Sequence, residues 1–258
     1  RLRVYRWVSA KDQSLVVVSM AGINHGPYPD LPGDMFTSTK ELFEFVHPQA
    51  DKSREYRDCL QQLLEQGVKI LNVSSYFDQV VPLYSASAHM ISPNPNLLRA
   101  LFVEKTQHQG FLLNFVTLAF HVNNLGAFND LLSHLSGFLR GRLRQKGSHS
   151  EIHKDPDVYA LAVDFAMRGP GRELASAGGV HMHTHSFCLW ASYMNDQFTT
   201  SNLNSYFLET RTHELLSVAL GPAHNLEPEV RKLFLSFQQW TPRTRNLRFL
   251  REALAPIF

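Results

Sequence analysis

The chain reads as an α/β domain, a parallel sheet with flanking helices, and three observations predict it. Leu15 to Ala21 (LVVVSMA) is a continuous, β-branched apolar run, and Val68 to Val73 (VKILNV) is a second short apolar stretch; both suit strands of a buried parallel sheet. Between them Tyr56, Leu60, Leu63 and Leu64 recur at helical spacing. Strand, helix and strand joined by short connections form a βαβ unit, whose crossover is right-handed.

Leu15 to Ala21 is expected as a central strand covered on both faces. The loop after it, GINHGPYPDLPG, carries three Gly and three Pro and leaves the strand at the edge where ligands sit in open α/β sheets. Asn24, His25 and Gly26 are therefore candidate pocket-lining residues, with the plainer reading that His25 satisfies the loop's own backbone. The helix from Ser53 should end at Gly67.

Two apolar stripes, Phe111 to Val122 and Phe128 to Leu139, predict a helical hairpin within an insertion spanning about residues 89–146. Such a hairpin either caps a pocket or packs against the sheet. Asp155 and Pro156 supply an N-cap and first-turn proline for a helix that buries Val158, Leu161, Ala162 and Phe165 and ends near Gly169. Residues 170–179 are rich in Gly, Ala and Ser and read as a linker. Leu226 to Trp240 and Leu247 to Leu254 are expected helices of a C-terminal extension. The chain thus divides into residues 1–169 and 170–258.

A length of 258 residues with 44% hydrophobic content can fill a real core. The net charge of +2, with no block of like charges, argues against a nucleic-acid partner. Cys59 and Cys188 match no metal or redox spacing, and so sparse a pair suits a reducing, cytoplasmic compartment. The longest apolar segment, Phe111 to Val122, is broken by Asn114, Thr117 and His121 and is shorter than the ~20 residues of a membrane span, so no transmembrane helix is expected. An initial Arg rather than Met suggests a truncated or processed chain.

Asp78, in SYFDQVVPLYSA, lies just past the carboxyl end of the second strand. Asp favours such turns for its local hydrogen bonds, but an acid there can also orient a histidine that arrives later in the chain. His149, in GSHSEIHKDPDVY, occupies a loop leading into a helix and follows Gly147 and Ser148, a turn that lets its ring swing over the sheet edge. His153, next to the following helix cap, is the alternate acid/base. Together Asp78 and His149 have the order of the last two members of a Ser, Asp, His triad, the acid fixing the tautomer and the histidine moving the proton. No Gly-x-Ser-x-Gly occurs, which places the nucleophile upstream of Arg1. A rival is His181, His183 and His185 in HMHTH, whose alternation on a strand would turn three rings to one face as metal ligands. No nearby Asp or Glu completes that set, so neither a metal nor any other cofactor is expected.

The segments GINHGPYPDLPG, TKELFEFVHPQ, FDQVVPLYS and GSHSEIHKDPDVYALAVDFAMR, over roughly the first two thirds of the chain, resemble a fungal family of lipase-like α/β-hydrolase proteins. The resemblance implies a partial α/β-hydrolase fold and, for the complete protein, cleavage of a carboxylic ester by Asp78, His149 and an upstream serine. Family members read Gly-His-Ser where this chain has Gly147-Ser148-His149-Ser150, one residue more. The apolar stripes of the insertion favour a small-molecule or lipid-like ester as substrate. Without its serine the chain alone is expected to be inactive, and the alternative is a hydrolase-derived binding or scaffold protein. A sheet lacking the nucleophile strand should present an unpaired edge.

Overall fold

The computed structural model describes residues 15–31, 40–91, 94, 96–103, 110–124, 131–140, 149–167 and 226–258. Its centre is a parallel sheet of three strands, β1 (Val16–Met20), β2 (Lys69–Ser75) and β3 (Leu97–Phe102), in the order β1-β2-β3. The first crossover carries a 3-10 turn, Lys40–Val46, and helix α1, Asp51–Glu65. Helix α1 stops as expected. Gly67, at φ +85°, takes the left-handed conformation, its N–H donating to Leu64 O at 3.0 Å and that of Val68 to Leu63 O at 3.0 Å. This doubly bonded end is the Schellman arrangement, which favours glycine because it has no Cβ to strain there.

β2 is buried along its whole length. β1 is not: among the described residues it is the edge strand, with Leu15 48% and Val18 37% exposed, so the expectation of a central strand covered on both faces is corrected. An apolar, β-branched run reports that side chains pack, not how many strands lie beside them. A short helix, α2 (Leu83–Ala86), follows the acid. β3 then falls inside the segment assigned to a helical insertion, which narrows that insertion to the stretch after Phe102. The run LLRALF was obscured by Arg99 at its middle, whose head is buried by bonding rather than by solvent: its Nε donates to Ser87 O at 2.7 Å, and its Nη2 to Ala88 O at 3.0 Å and Ile91 O at 2.9 Å.

The helical hairpin is α3 (Phe111–Asn124) and α4 (Leu131–Leu139). Beyond the histidine loop come a 3-10 turn, Ile152–Lys154, and α5, Pro156–Met167, where Asp155 Oδ1 accepts from the Asp157 N–H at 2.9 Å as the expected N-cap. One sheet face, with Leu71, Val73, Leu98 and Ala100, packs on Ile152, Val158 and Phe165. The other, with Ile70 and Leu97, meets Leu64 and Ile91. The expected linker and His181, His183 and His185 lie outside the described residues.

The C-terminal helices α6 (Glu227–Gln239) and α7 (Arg245–Leu254) share one apolar core with the hairpin. Phe111 of α3 meets Phe237 edge to face, with centroids 4.9 Å apart, and Trp240 at a tilt, 4.8 Å apart. The hairpin's stripe is packed in large part against these C-terminal helices, which neither expectation for it, a pocket cap or packing on the sheet, had included. Leu233, fully buried in this core, should cost about 2–5 kcal/mol when replaced by Ala. A urea midpoint unchanged in Leu233→Ala would mean that α6 does not close this core.

Candidate active site

Asp78 follows β2 after a two-residue turn, Tyr76 and Phe77, and is 3% exposed. A carboxylate so removed from water needs donors for both oxygens. Its Oδ1 accepts from the backbone N–H of Val80 at 2.7 Å and of Val81 at 2.9 Å, the local turn that Asp favours. Its Oδ2 lies 2.8 Å from His149 Nδ1. Asp78 thus closes its local turn with one oxygen and meets His149 with the other.

A carboxylate only accepts, so the Nδ1 of His149 carries the proton and its Nε2 is left as the acceptor. The hydrogen bond to Asp78 holds the imidazole pKa above its ordinary 6.5, against the opposing effect of partial burial. The His149 side chain is 33% exposed, so the ring is open to a reacting group. Among the described residues no serine hydroxyl is hydrogen-bonded to it. His153, four residues on, is exposed and pairs with neither; its carbonyl accepts from the Tyr159 hydroxyl at 2.9 Å.

The loop after β1 is placed over this turn, and Asn24, His25 and Gly26, expected as candidate pocket lining, lie buried where they fasten the loop. Asn24 Nδ2 donates to Ser85 O at 3.0 Å, and its Oδ1 accepts from the Tyr56 hydroxyl at 2.7 Å. The His25 N–H donates to Ser85 Oγ at 2.9 Å, and its Nε2 accepts from the Met90 N–H at 3.2 Å. Burial, with the charges of His89, Arg57 and Arg99, pushes the His25 pKa down to about 3, so the ring is neutral. Gly26, at φ +82°, lets the loop approach so closely that a Cβ would sit 2.5 Å from Val46 Cγ2. The sequence offered the loop's punctuation, but a neutral histidine used as an acceptor has no sequence signal.

Among the described residues no group of three or more His, Cys, Asp or Glu could hold a metal ion, and no helix is long and apolar enough to cross a membrane. Cys59 is an exposed free thiol, and Cys188 lies outside the described residues.

A parallel sheet flanked by helices, with a buried acid past one strand bonded to a histidine from a loop after the next, is the architecture of the α/β-hydrolases. The family model of the YMC0/YMC35 alpha/beta hydrolase domain matches residues 5–188, and the chain belongs to that family. No curated protein and no solved structure gives a significant match.

Two titrations follow with opposite signs. The pKa of His149 is raised on folding, so its stabilisation is full below pH 6.5 and is lost as pH rises through the raised value. Urea unfolding of the wild type and His149→Ala should diverge most at the acid end of that window; parallel profiles would contradict the bond. The pKa of His25 is depressed, so its stabilisation is present above pH 6.5 and is lost as pH falls toward about 3. His25→Gln, whose side-chain oxygen can accept from Met90, should flatten that acid limb; an unchanged limb would show that His25 is not the group responsible.

Proposed function

We propose that this chain supplies the acid and the base of a serine hydrolase that cleaves carboxylic esters, with the nucleophile on a preceding strand. The observation that carries the reading is the Asp78–His149 bond at 2.8 Å, with the acid buried and the ring accessible. His149 Nε2 would take the serine proton as the hydroxyl attacks the ester carbonyl, then return it to the departing alkoxide. In the second half-reaction it would take a proton from the water that attacks the acyl-enzyme, then return it to the departing serine oxygen as the carboxylic acid is released. Asp78 would hold the tautomer throughout and stabilise the imidazolium at each proton transfer.

The open side of β1 supports the position of the nucleophile. No strand pairs with it among the described residues, and exposed Leu15 and Val18 are the side chains a neighbouring βα unit would cover. The ester class is otherwise unrestricted. The case for a lipophilic acyl group drew on the hairpin's apolar stripe, which is spent in the core.

The test compares this chain with an extended protein that includes an upstream Gly-x-Ser-x-Gly, using a short-chain p-nitrophenyl ester. The extended protein should hydrolyse it and the 258-residue chain should not. In the extended protein Asp78→Asn and His149→Ala should each lower kcat by about 10³–10⁴-fold, while His153→Ala changes it by less than about twofold. A folded extended protein without activity would favour the binding or scaffold reading. Activity in the 258-residue chain alone would contradict the position of the nucleophile.

A further inference from the structure

Asp78 is held by the N–H groups of Val80 and Val81, so its direction depends on what fixes that turn. The carbonyl of Val80 faces the loop after β1, where it accepts from the Tyr28 N–H at 3.1 Å. Tyr28 is 7% exposed, and its hydroxyl donates to Ser136 O at 2.8 Å. That carbonyl is one of the last four of α4, which have no partner within the helix and must find one outside it. The ring is clamped as well: the Arg140 guanidinium lies 4.5 Å over its centroid and also binds Asp30 Oδ1 at 2.6 Å. Burial, and next the nearby charge of Asp78, keep the phenol protonated and so able to donate.

We infer that Tyr28 is a positioning residue, which ties the helical hairpin to the Val80 peptide and through it sets the Asp78 carboxylate against His149. The inference rests on the reading of Asp78 and His149 as orienting acid and base. Tyr28 makes no hydrogen bond to His149, and its hydrogen-bonded route to the pair runs through Val80. The chain of contacts has a direction: α4 holds the phenol, the phenol holds the loop, the loop holds Val80, and Val80 holds the acid. Loosening the first link would let the carboxylate turn from the imidazole without removing either residue.

The pKa of His149, followed by NMR titration of the 258-residue chain, reads this coupling without needing activity. Tyr28→Phe deletes only the hydroxyl and should lower that pKa by about 0.5 unit, toward its ordinary value, because a longer bond to Asp78 favours the imidazolium less. Asp30→Asn, which frees Arg140 at the exposed end of the clamp, should lower it in the same direction by less. A purely structural Tyr28 would lower the melting temperature in Tyr28→Phe and leave the His149 titration where it was, and that result would overturn the inference. Should Tyr28→Phe not fold, Asp30→Asn decides alone, an unchanged His149 pKa again overturning it. Asp78→Asn separates the two readings: if it too leaves His149 unmoved, the pair is not formed in solution and the catalytic assignment fails as well.

Discussion

A carboxylate almost out of water, with every donor it needs supplied by fixed neighbours, is the constraint around which this molecule is arranged. Asp78 takes two backbone N–H groups on one oxygen and the His149 imidazole on the other. Burial makes each bond stronger and each missing bond more costly. The backbone pair is local, set by the turn at the end of β2. The imidazole arrives from 71 residues away, so the remaining architecture has to deliver it. β3 aligns beside β2, the hairpin packs on the C-terminal helices, and the loop before α5 returns the ring to the sheet edge.

Polar groups buried beside that edge serve the same end. Asn24 and His25 fasten the loop after β1 to the segment Ser85 to Met90, and Arg99 ties the backbone of Ser87, Ala88 and Ile91 to β3. None of these is an ion pair. The full burial of Arg99 lowers its pKa to about 9, and the carbonyls around it offset only part of its lost hydration. Such bonds are directional, so they fix loops that apolar packing alone would leave in several arrangements.

Much of this was legible in the sequence because it is local. The β-branched run, the helix stop at Gly67, the N-cap at Asp155 and the acid at a strand's end each follow from a few adjacent residues. The approach of Asp78 to His149 could be anticipated only from their order along the chain, since no local pattern encodes a distance. β3 was obscured because an arginine in a strand looks like surface until its carbonyl partners, 8 to 12 residues away, are seen. That β1 is the edge strand among the described residues could be expected from the missing nucleophile strand but not from its own composition, which reports burial of side chains and is silent on the number of neighbouring strands. The fastening role of Asn24 and His25 has no local signal either, since their partners lie about 60 residues on.

The most direct measurement is detection of the His149 Nδ1–H proton in the nitrogen-15-labelled chain near neutral pH. A proton bonded to a buried carboxylate should resonate far downfield, exchange slowly with water, and vanish from that position in Asp78→Asn. A His149 imidazole proton that exchanges freely in the wild type, or a signal that survives unchanged in Asp78→Asn, would contradict the account at its centre.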